Sequence, residues 1–143
     1  DNAQSSVIAV ETITAQDSKK YGVVKVDAGE TVAIKKVQDI VEKPEPSQAP
    51  SDWGVVGRYI LTPKIFSLLE ITQRGLGGEI QLTDAIAELL KFENVYAQRF
   101  DGKRYDCGSK LGYLDATLNF ALKHPEVGEA FRKLLQKQAG VTV

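Results

Sequence analysis

Val41-Glu42-Lys43-Pro44 places an acidic and a basic side chain next to each other at the end of an apolar run. Pro44 lacks a backbone donor and biases the preceding residue away from helix, so we predict that Glu42 and Lys43 are extended at a strand end. Strand ends commonly face the ligand crevice of an α/β sheet. Neighbours on a strand point to opposite faces, so the two charges should reach different parts of a ligand rather than each other. A carboxylate accepts hydrogen bonds from sugar hydroxyls and a lysine binds phosphate; a solvated strand end is the alternative.

On either side of this stretch, apolar runs of strand length and segments of helical periodicity predict an α/β fold with a mixed sheet. Strands rich in β-branched residues are predicted over residues 6–14, 21–26, 32–41 and 53–61. A hairpin turn at Asp101-Gly102 is predicted to join strands over 95–100 and 103–107. Helices are predicted to begin at Thr62-Pro63, with Ile65, Phe66, Leu68 and Leu69 buried, at Thr83 or Asp84, at Ser109, and after Pro125.

The composition predicts one soluble domain. A length of 143 residues suits a single domain, and 43% hydrophobic with 26% charged residues is typical of globular proteins. A net charge of -1 gives no electrostatic reason to expect nucleic acid or an anionic membrane as partner. The single cysteine, Cys107, and single histidine, His124, exclude an internal disulfide and a zinc site built from these two alone. We therefore expect a cytoplasmic protein without a membrane span.

Two further positions, Gly22 and Asp106, and one segment, Gly78-Glu79-Ile80-Gln81-Leu82-Thr83-Asp84, are candidates for a binding site. Gly22 lies near the start of a predicted strand, where a glycine marks a bulge or the close approach of another backbone or a ligand. Asp106 precedes Cys107-Gly108 at a predicted strand-to-helix turn, where it could be a turn residue or a hard oxygen ligand for Mg²⁺. Cys107 is expected to be a small buried residue, and His124 a helix-end residue.

Five short motifs together resemble one enzyme family, and their order along the chain matters as much as their composition. They are Tyr21-Gly22-Val23, Glu42-Lys43-Pro44, Val56-Gly57-Arg58-Tyr59, Gly78-Glu79-Ile80-Gln81-Leu82-Thr83-Asp84 and Asp106-Cys107-Gly108-Ser109-Lys110-Leu111-Gly112-Tyr113. The set is similar to the C-terminal half of bacterial UTP–glucose-1-phosphate uridylyltransferases, also called UDP-glucose pyrophosphorylases. The resemblance covers essentially the whole chain.

The resemblance implies a Rossmann-like mixed sheet with helices on both faces, and a reaction of UTP with glucose 1-phosphate that gives UDP-glucose and pyrophosphate with Mg²⁺. It implies that Gly22 approaches the sugar through its backbone and that Glu42 holds glucose hydroxyls. It also implies that Lys43 binds the sugar-linked phosphate as the catalytic lysine, and that Asp106 is one of two metal-binding aspartates. A homo-oligomer is expected by analogy.

The sequence departs from the family pattern in the residues that bind the nucleotide. The Gly-x-Gly-Thr-Arg loop and the downstream lysine that grip UTP in the family have no match here, and the second metal aspartate is missing with them. We therefore expect residues 1–143 to be the sugar-phosphate portion of a single nucleotidyltransferase domain whose N-terminal nucleotide-binding half is absent. Two alternatives remain: a thymidylyltransferase acting on the same sugar phosphate, and a non-catalytic sugar-nucleotide-binding or assembly module.

Overall fold

The computed structural model describes residues 5–27 and 33–140, and the chain divides between Asp101 and Gly102 into two compact units. The first unit contains five strands, namely β1 Ser6–Thr12, β2 Gly22–Val26, β3 Ile34–Glu42, β4 Trp53–Ile60 and β5 Val95–Arg99. Its helices are α1 Lys64–Leu69 and α2 Leu82–Leu89, with 3₁₀ turns at Ala15–Lys20 and Leu76–Gly78. The second unit contains α3 Lys110–Lys123 and α4 Gly128–Gln138.

The sheet is mixed, as predicted. Its strands follow the order β1–β4–β2–β3–β5, and β5 also pairs with β1, which closes the sheet on itself. The β1–β5 pair is parallel, and the other pairs are antiparallel. Strands joined by helices around such a sheet give an α/β fold, so the predicted fold class is confirmed.

The predicted hairpin at Asp101-Gly102 is wrong. Residues 95–99 form β5, but residues 103–106 form no strand. Both edges of β5 are already occupied, because β1 pairs with it in parallel and β3 pairs with it in antiparallel orientation. A returning strand therefore has no free edge on which to pair, and the chain leaves the sheet instead.

The core of the first unit lies between the sheet and the two short helices. Fully buried side chains alternate along β1 at Ser6, Ile8 and Val10, as expected for a strand with one face inside. The helices contribute Ile65 and Leu68 from α1, and Ala85, Ile86 and Leu89 from α2. Phe66 was predicted to join this face but is 69% exposed, because the six-residue α1 buries one narrow stripe.

Two predicted helix caps are wrong and one is confirmed. No side-chain hydrogen bond caps α1 or α2, whose N-cap residues are Pro63 and Gln81. The hydroxyls of Thr62 and Thr83 instead donate to carboxylates elsewhere in the fold, since a charge-assisted hydrogen bond is stronger than a neutral one. Ser109 caps α3 as predicted, with its Oγ accepting from Gly112 N at 3.0 Å.

In the second unit, α3 buries only Ala116 fully, whereas Leu111, Leu114 and Leu118 are exposed. Cys107, expected to be buried, is exposed because it lies in the turn before α3. His124 ends α3, as predicted, and its Nδ1 accepts from Glu126 N. Among residues 5–27 and 33–140, no helix combines the length and apolarity needed to cross a membrane.

Candidate functional site

The candidate site is built where β2 begins and β3 ends. Gly22 and Glu42 are paired across these antiparallel strands. Lys43 N donates to Tyr21 O at 3.0 Å, which extends the ladder one residue beyond β3. The buried hydroxyl of Ser18 donates to Pro44 O at 2.9 Å. The backbone on both sides of Lys43 is therefore fixed by neighbouring elements.

Lys43 is not extended, so this part of the sequence prediction is wrong. Its φ of 45° lies in the left-handed region, which costs a non-glycine residue roughly 1–2 kcal/mol. The chain turns out of the sheet at this residue, and the alternation of side chains along an extended strand no longer applies. Lys43 Nζ consequently lies 3.4 Å from Glu42 Oε1, whereas the sequence predicted that the two charges do not reach each other.

The Glu42 carboxylate is held at both oxygens. Its Oε2 accepts a hydrogen bond of 3.0 Å from Thr83 Oγ1, and its Oε1 faces Lys43 Nζ. The Glu42 side chain is 15% exposed and that of Lys43 is 44% exposed. A carboxylate offers about four lone-pair sites, so Glu42 retains capacity to accept from a ligand. Lys43, more exposed, is joined to Glu42 by a contact worth under about 1 kcal/mol, and its ammonium can turn to another anion.

Gly22 makes room for this arrangement. A Cβ at this position would lie 2.8 Å from Thr83 Cγ2 and 3.2 Å from Glu42 Oε2. The first distance is shorter than real Cβ contacts, so any larger residue would displace Thr83, Glu42 or both. The glycine is therefore required by close approach of two side chains, which adds to the backbone role that the sequence suggested.

Tyr59, in β4, belongs to the same neighbourhood. Burial raises the pKa of its phenol, and the negative charge of Glu42 raises that pKa further. A tyrosine phenol is protonated at neutral pH in any case, and both causes act in the same direction, so Tyr59 is a hydrogen-bond donor. Thr83 lies in the 78–84 segment that the sequence singled out as a candidate, but neither Thr83 nor Tyr59 was given a role of its own in the site. Thr83 was interpreted as a helix cap, and only the tertiary contact with Glu42 reveals its partner.

Asp106 lies in the second unit, in the turn that precedes α3. Its side chain is exposed, and Oδ1 accepts from Gly108 N at 3.0 Å. Asp106 O accepts from Ser109 N at 3.3 Å, and a Cβ on Gly112 would collide with the same carbonyl. This tight turn fixes the carboxyl group in a solvent-accessible position.

Asp106 offers a single exposed carboxylate, an oxygen donor of the kind that Mg²⁺ prefers. No group of three or more Asp, Glu, His or Cys side chains able to hold a metal occurs in the part of the chain that the structure describes. Mg²⁺ usually takes one or two carboxylates and completes its shell with water and phosphate oxygens. A magnesium site at Asp106 would therefore need further ligands from a substrate and from other residues.

Comparison with known proteins gives consistent likenesses. Residues 1–123 match the family described as Nucleotidyl transferase. UTP–glucose-1-phosphate uridylyltransferase 2 of Streptococcus pyogenes serotype M3 is 45% identical over 127 residues, which are 89% of this chain and 42% of that protein. A crystal structure of UDP-glucose pyrophosphorylase complexed with UDP-glucose is 41% identical, with a TM-score of 0.79 over 86% of this chain and 46% of that one. A UTP-bound UGPase from Acinetobacter baumannii is 45% identical, with a TM-score of 0.80 over 93% of this chain and 45% of that one.

These proteins are similar to the present chain over nearly all of its length, although the chain spans less than half of theirs. The likeness to uridylyltransferases inferred from the five motifs is confirmed by relatives of that name. The family match covers both the strands that carry Glu42 and Lys43 and the turn that carries Asp106. The chain therefore belongs to the nucleotidyl transferase family.

Proposed function

We propose that residues 1–143 form the sugar-phosphate side of a nucleotidyltransferase that joins UTP to glucose 1-phosphate, giving UDP-glucose and pyrophosphate. The observation that most supports this proposal is the geometry of Glu42 in a chain of this family. Its carboxylate accepts from Thr83, lies beside Gly22, and has Lys43 Nζ 3.4 Å from Oε1. The names of the relatives, and the UDP-glucose and UTP bound in two of the similar structures, support the choice of substrates. The complete protein, meaning this chain together with a nucleotide-binding half, is the proposed enzyme.

In this proposal Glu42 binds the sugar. Its side chain is largely buried but not closed off, and the lone pairs not taken by Thr83 and Lys43 can accept hydrogen bonds from glucose hydroxyls. A buried acceptor that is satisfied by hydroxyls discriminates against ligands that lack them, because it would otherwise be left unpaired. Gly22, whose buried backbone borders the carboxylate, lines the same place.

Lys43 binds the phosphate of the sugar. Its weak, half-exposed contact with Glu42 can be replaced by a contact with a phosphate of greater negative charge. An oxygen of that phosphate attacks the α-phosphorus of UTP, the bond to the β-phosphate oxygen breaks, and pyrophosphate leaves. Lys43 lowers the barrier by holding the attacking group and neutralising charge, which is what phosphoryl-type transfer requires of a protein.

Asp106 would contribute one oxygen ligand to Mg²⁺, the ion that neutralises phosphate charge in such reactions when bound. The strained backbone at Lys43 agrees with a functional role, since left-handed non-glycine residues cluster at ligand sites. The expected homo-oligomer and the cytoplasmic location stay predictions.

The two alternatives are less well supported. A thymidylyltransferase would share the sugar-phosphate site, but the relatives at 41–45% identity are named for UTP or UDP-glucose. A non-catalytic sugar-nucleotide-binding module would use the same Glu42 and Lys43 contacts, but the relatives are named as uridylyltransferases, and turnover of the complete protein distinguishes the two.

The test is to express the complete protein and its Glu42→Gln variant and to measure UDP-glucose formation at varied glucose 1-phosphate and UTP. We expect wild-type turnover, and a KM for glucose 1-phosphate that rises in the variant while the KM for UTP stays unchanged. Glu45→Gln is the matched control, because Glu45 is an exposed carboxylate three residues away whose described contact is an ion pair with Lys19. Absence of turnover in the wild type, or a change confined to the KM for UTP, would refute the proposal.

A second experiment tests whether residues 1–143 are only the sugar-phosphate half of the domain. Residues 1–143 alone, incubated with UTP, glucose 1-phosphate and Mg²⁺, are expected to release no pyrophosphate above a buffer blank. The reason is that no backbone loop suited to a triphosphate is recognisable in the sequence. Turnover by this piece would contradict the half-domain proposal, and activity on adding an N-terminal half would support it.

A further inference from the structure

Thr83 lies beside two residues of the proposed sugar site, Glu42 and Gly22. Its hydroxyl donates to Glu42 Oε2 at 3.0 Å, and its methyl carbon lies 2.8 Å from the point where a Cβ on Gly22 would be. The residue is 5% exposed, so neither contact is an accident of a mobile surface side chain.

The hydroxyl of Thr83 does not cap its own helix. It is the second residue of α2, whose N-cap position, Gln81, makes no side-chain cap hydrogen bond. A threonine at a helix start normally bonds to the local backbone, but this one points its proton at a carboxylate 41 residues away in the sequence. The bond therefore acts on Glu42 rather than on the stability of the first turn of α2.

Glu42 needs such a partner for its orientation to be defined. The terminal torsion of a glutamate is broad, so a carboxylate with one contact can rotate about its last bond. Lys43 Nζ lies at Oε1 and Thr83 Oγ1 lies at Oε2, which fixes the plane of the group from both ends. Lys43 is the weaker of the two constraints, since it is half-exposed and is the residue assigned to the phosphate.

We propose that Thr83 is a positioning residue for sugar recognition: its hydroxyl fixes the plane of the Glu42 carboxylate so that the remaining lone pairs meet the sugar hydroxyls. This inference rests on the proposed function of Glu42. It assigns Thr83 no contact with the substrate, so its effect on catalysis passes through Glu42.

The experiment compares Thr83→Val and Thr83→Ser in the complete protein. Valine keeps the shape and removes the hydroxyl, whereas serine keeps the hydroxyl and removes the methyl group. We expect Thr83→Val to raise the KM for glucose 1-phosphate about 10-fold, the smaller end of the effect of losing a hydrogen bond to a charged group. The KM for UTP should stay within about 2-fold, and Thr83→Ser should recover most of the loss.

Ser6→Ala is the matched control. Ser6 is also a fully buried hydroxyl that donates to a carboxylate, Glu93 Oε1 at 2.7 Å, but it is not part of the Glu42 cluster. This variant should lower Tm and leave both KM values unchanged. If Ser6→Ala raises the KM for glucose 1-phosphate as much as Thr83→Val, general loosening of the fold explains the effect and the inference is wrong.

A double variant, Thr83→Val with Glu42→Gln, tests the route of the effect. If Thr83 acts through Glu42, its substitution adds little once Glu42 is changed, because coupled residues are non-additive. Full additivity would overturn the inference. If Thr83→Val is unfolded by circular dichroism, Thr83→Ala replaces it in the same comparison.

The outcomes separate the two proposals. A wild type without turnover, or Glu42→Gln kinetics identical to wild type, overturns the proposed function and this inference together. An active wild type, a raised KM in Glu42→Gln and unchanged kinetics in Thr83→Val overturn the role of Thr83 alone.

Discussion

Replacing Gly22 by alanine is expected to disturb the proposed sugar site without destroying the fold. The added Cβ would lie 2.8 Å from Thr83 Cγ2 and 3.2 Å from Glu42 Oε2, so both side chains must move by a few tenths of an ångström. The backbone itself tolerates alanine, because Gly22 is not among the residues with positive φ. The perturbation is therefore steric and aimed at the Glu42–Thr83 pair.

The stability cost is modest. Overpacking a buried position costs about 1–3 kcal/mol, and replacing a glycine inside a strand recovers about 0.5–1 kcal/mol of that. The two terms give a net loss of about 0–2.5 kcal/mol, which lowers Tm by up to roughly 10 °C for a domain of this size. The fold should survive at 25 °C.

The kinetic effect should be larger than the stability effect suggests. A misplacement of about 1 Å in a positioning group can cost about 10²-fold, so a shift of a few tenths of an ångström should cost roughly 10-fold. We expect that loss in the KM for glucose 1-phosphate, measured by steady-state UDP-glucose formation in the complete protein. The KM for UTP should stay unchanged.

Gly54→Ala provides a matched steric control. A Cβ at Gly54 would lie 2.7 Å from Ile13 Cγ2, a clash as severe as at Gly22 but against an aliphatic side chain that is not part of the Glu42 cluster. Its Tm should fall by a similar amount while both KM values stay at wild-type level. Wild-type kinetics in Gly22→Ala, or equal kinetic losses in both variants, would refute the reasoning.

Three further variants test other parts of the structure. Lys43→Ala should lower kcat/KM for glucose 1-phosphate by about 10²–10³-fold. Lys43→Gly should lose as much activity but be at least as resistant to urea, because glycine adopts the φ of 45° at this position without strain. Near-native turnover in either variant would remove Lys43 from the mechanism. Asp106→Asn should shift the Mg²⁺ titration of activity to higher concentration, since the change removes the charge that a hard cation prefers; an unchanged titration would return Asp106 to a turn residue. Glu93→Ala should lower the free energy of unfolding by about 2–4 kcal/mol. The reason is that the Glu93 carboxylate accepts hydrogen bonds from the hydroxyls of Ser6 and Thr62, at 2.7 and 2.8 Å. A loss below about 0.5 kcal/mol would show that the two hydroxyls find other partners.

The sequence by itself determined the fold class and, to within about two residues, the ends of most strands, and it predicted a candidate site around Glu42 and Lys43. Runs of β-branched residues mark β1 to β4, because their side chains suit a pleated surface, and Ser109 and Pro125 bound α3 through local hydrogen bonding and proline geometry. Such signals act over a few residues, so they can be read without knowing the tertiary structure. The motif around Glu42 and Lys43 marked a candidate site, but its local geometry was predicted wrongly.

Only the tertiary structure decided which groups meet. β5 has both edges paired, by β1 and β3, which excludes the hairpin that Asp101-Gly102 favours locally. Lys43 turns into the left-handed region because Tyr21 and Ser18 hold the backbone around it.

The same holds for the hydroxyl of Thr83, which could cap its own helix but bonds to Glu42 instead. A local preference worth about 1 kcal/mol yields to burial and to a hydrogen bond with a charged partner. That partner lies 41 residues away in the sequence, and no local pattern encodes such a distance.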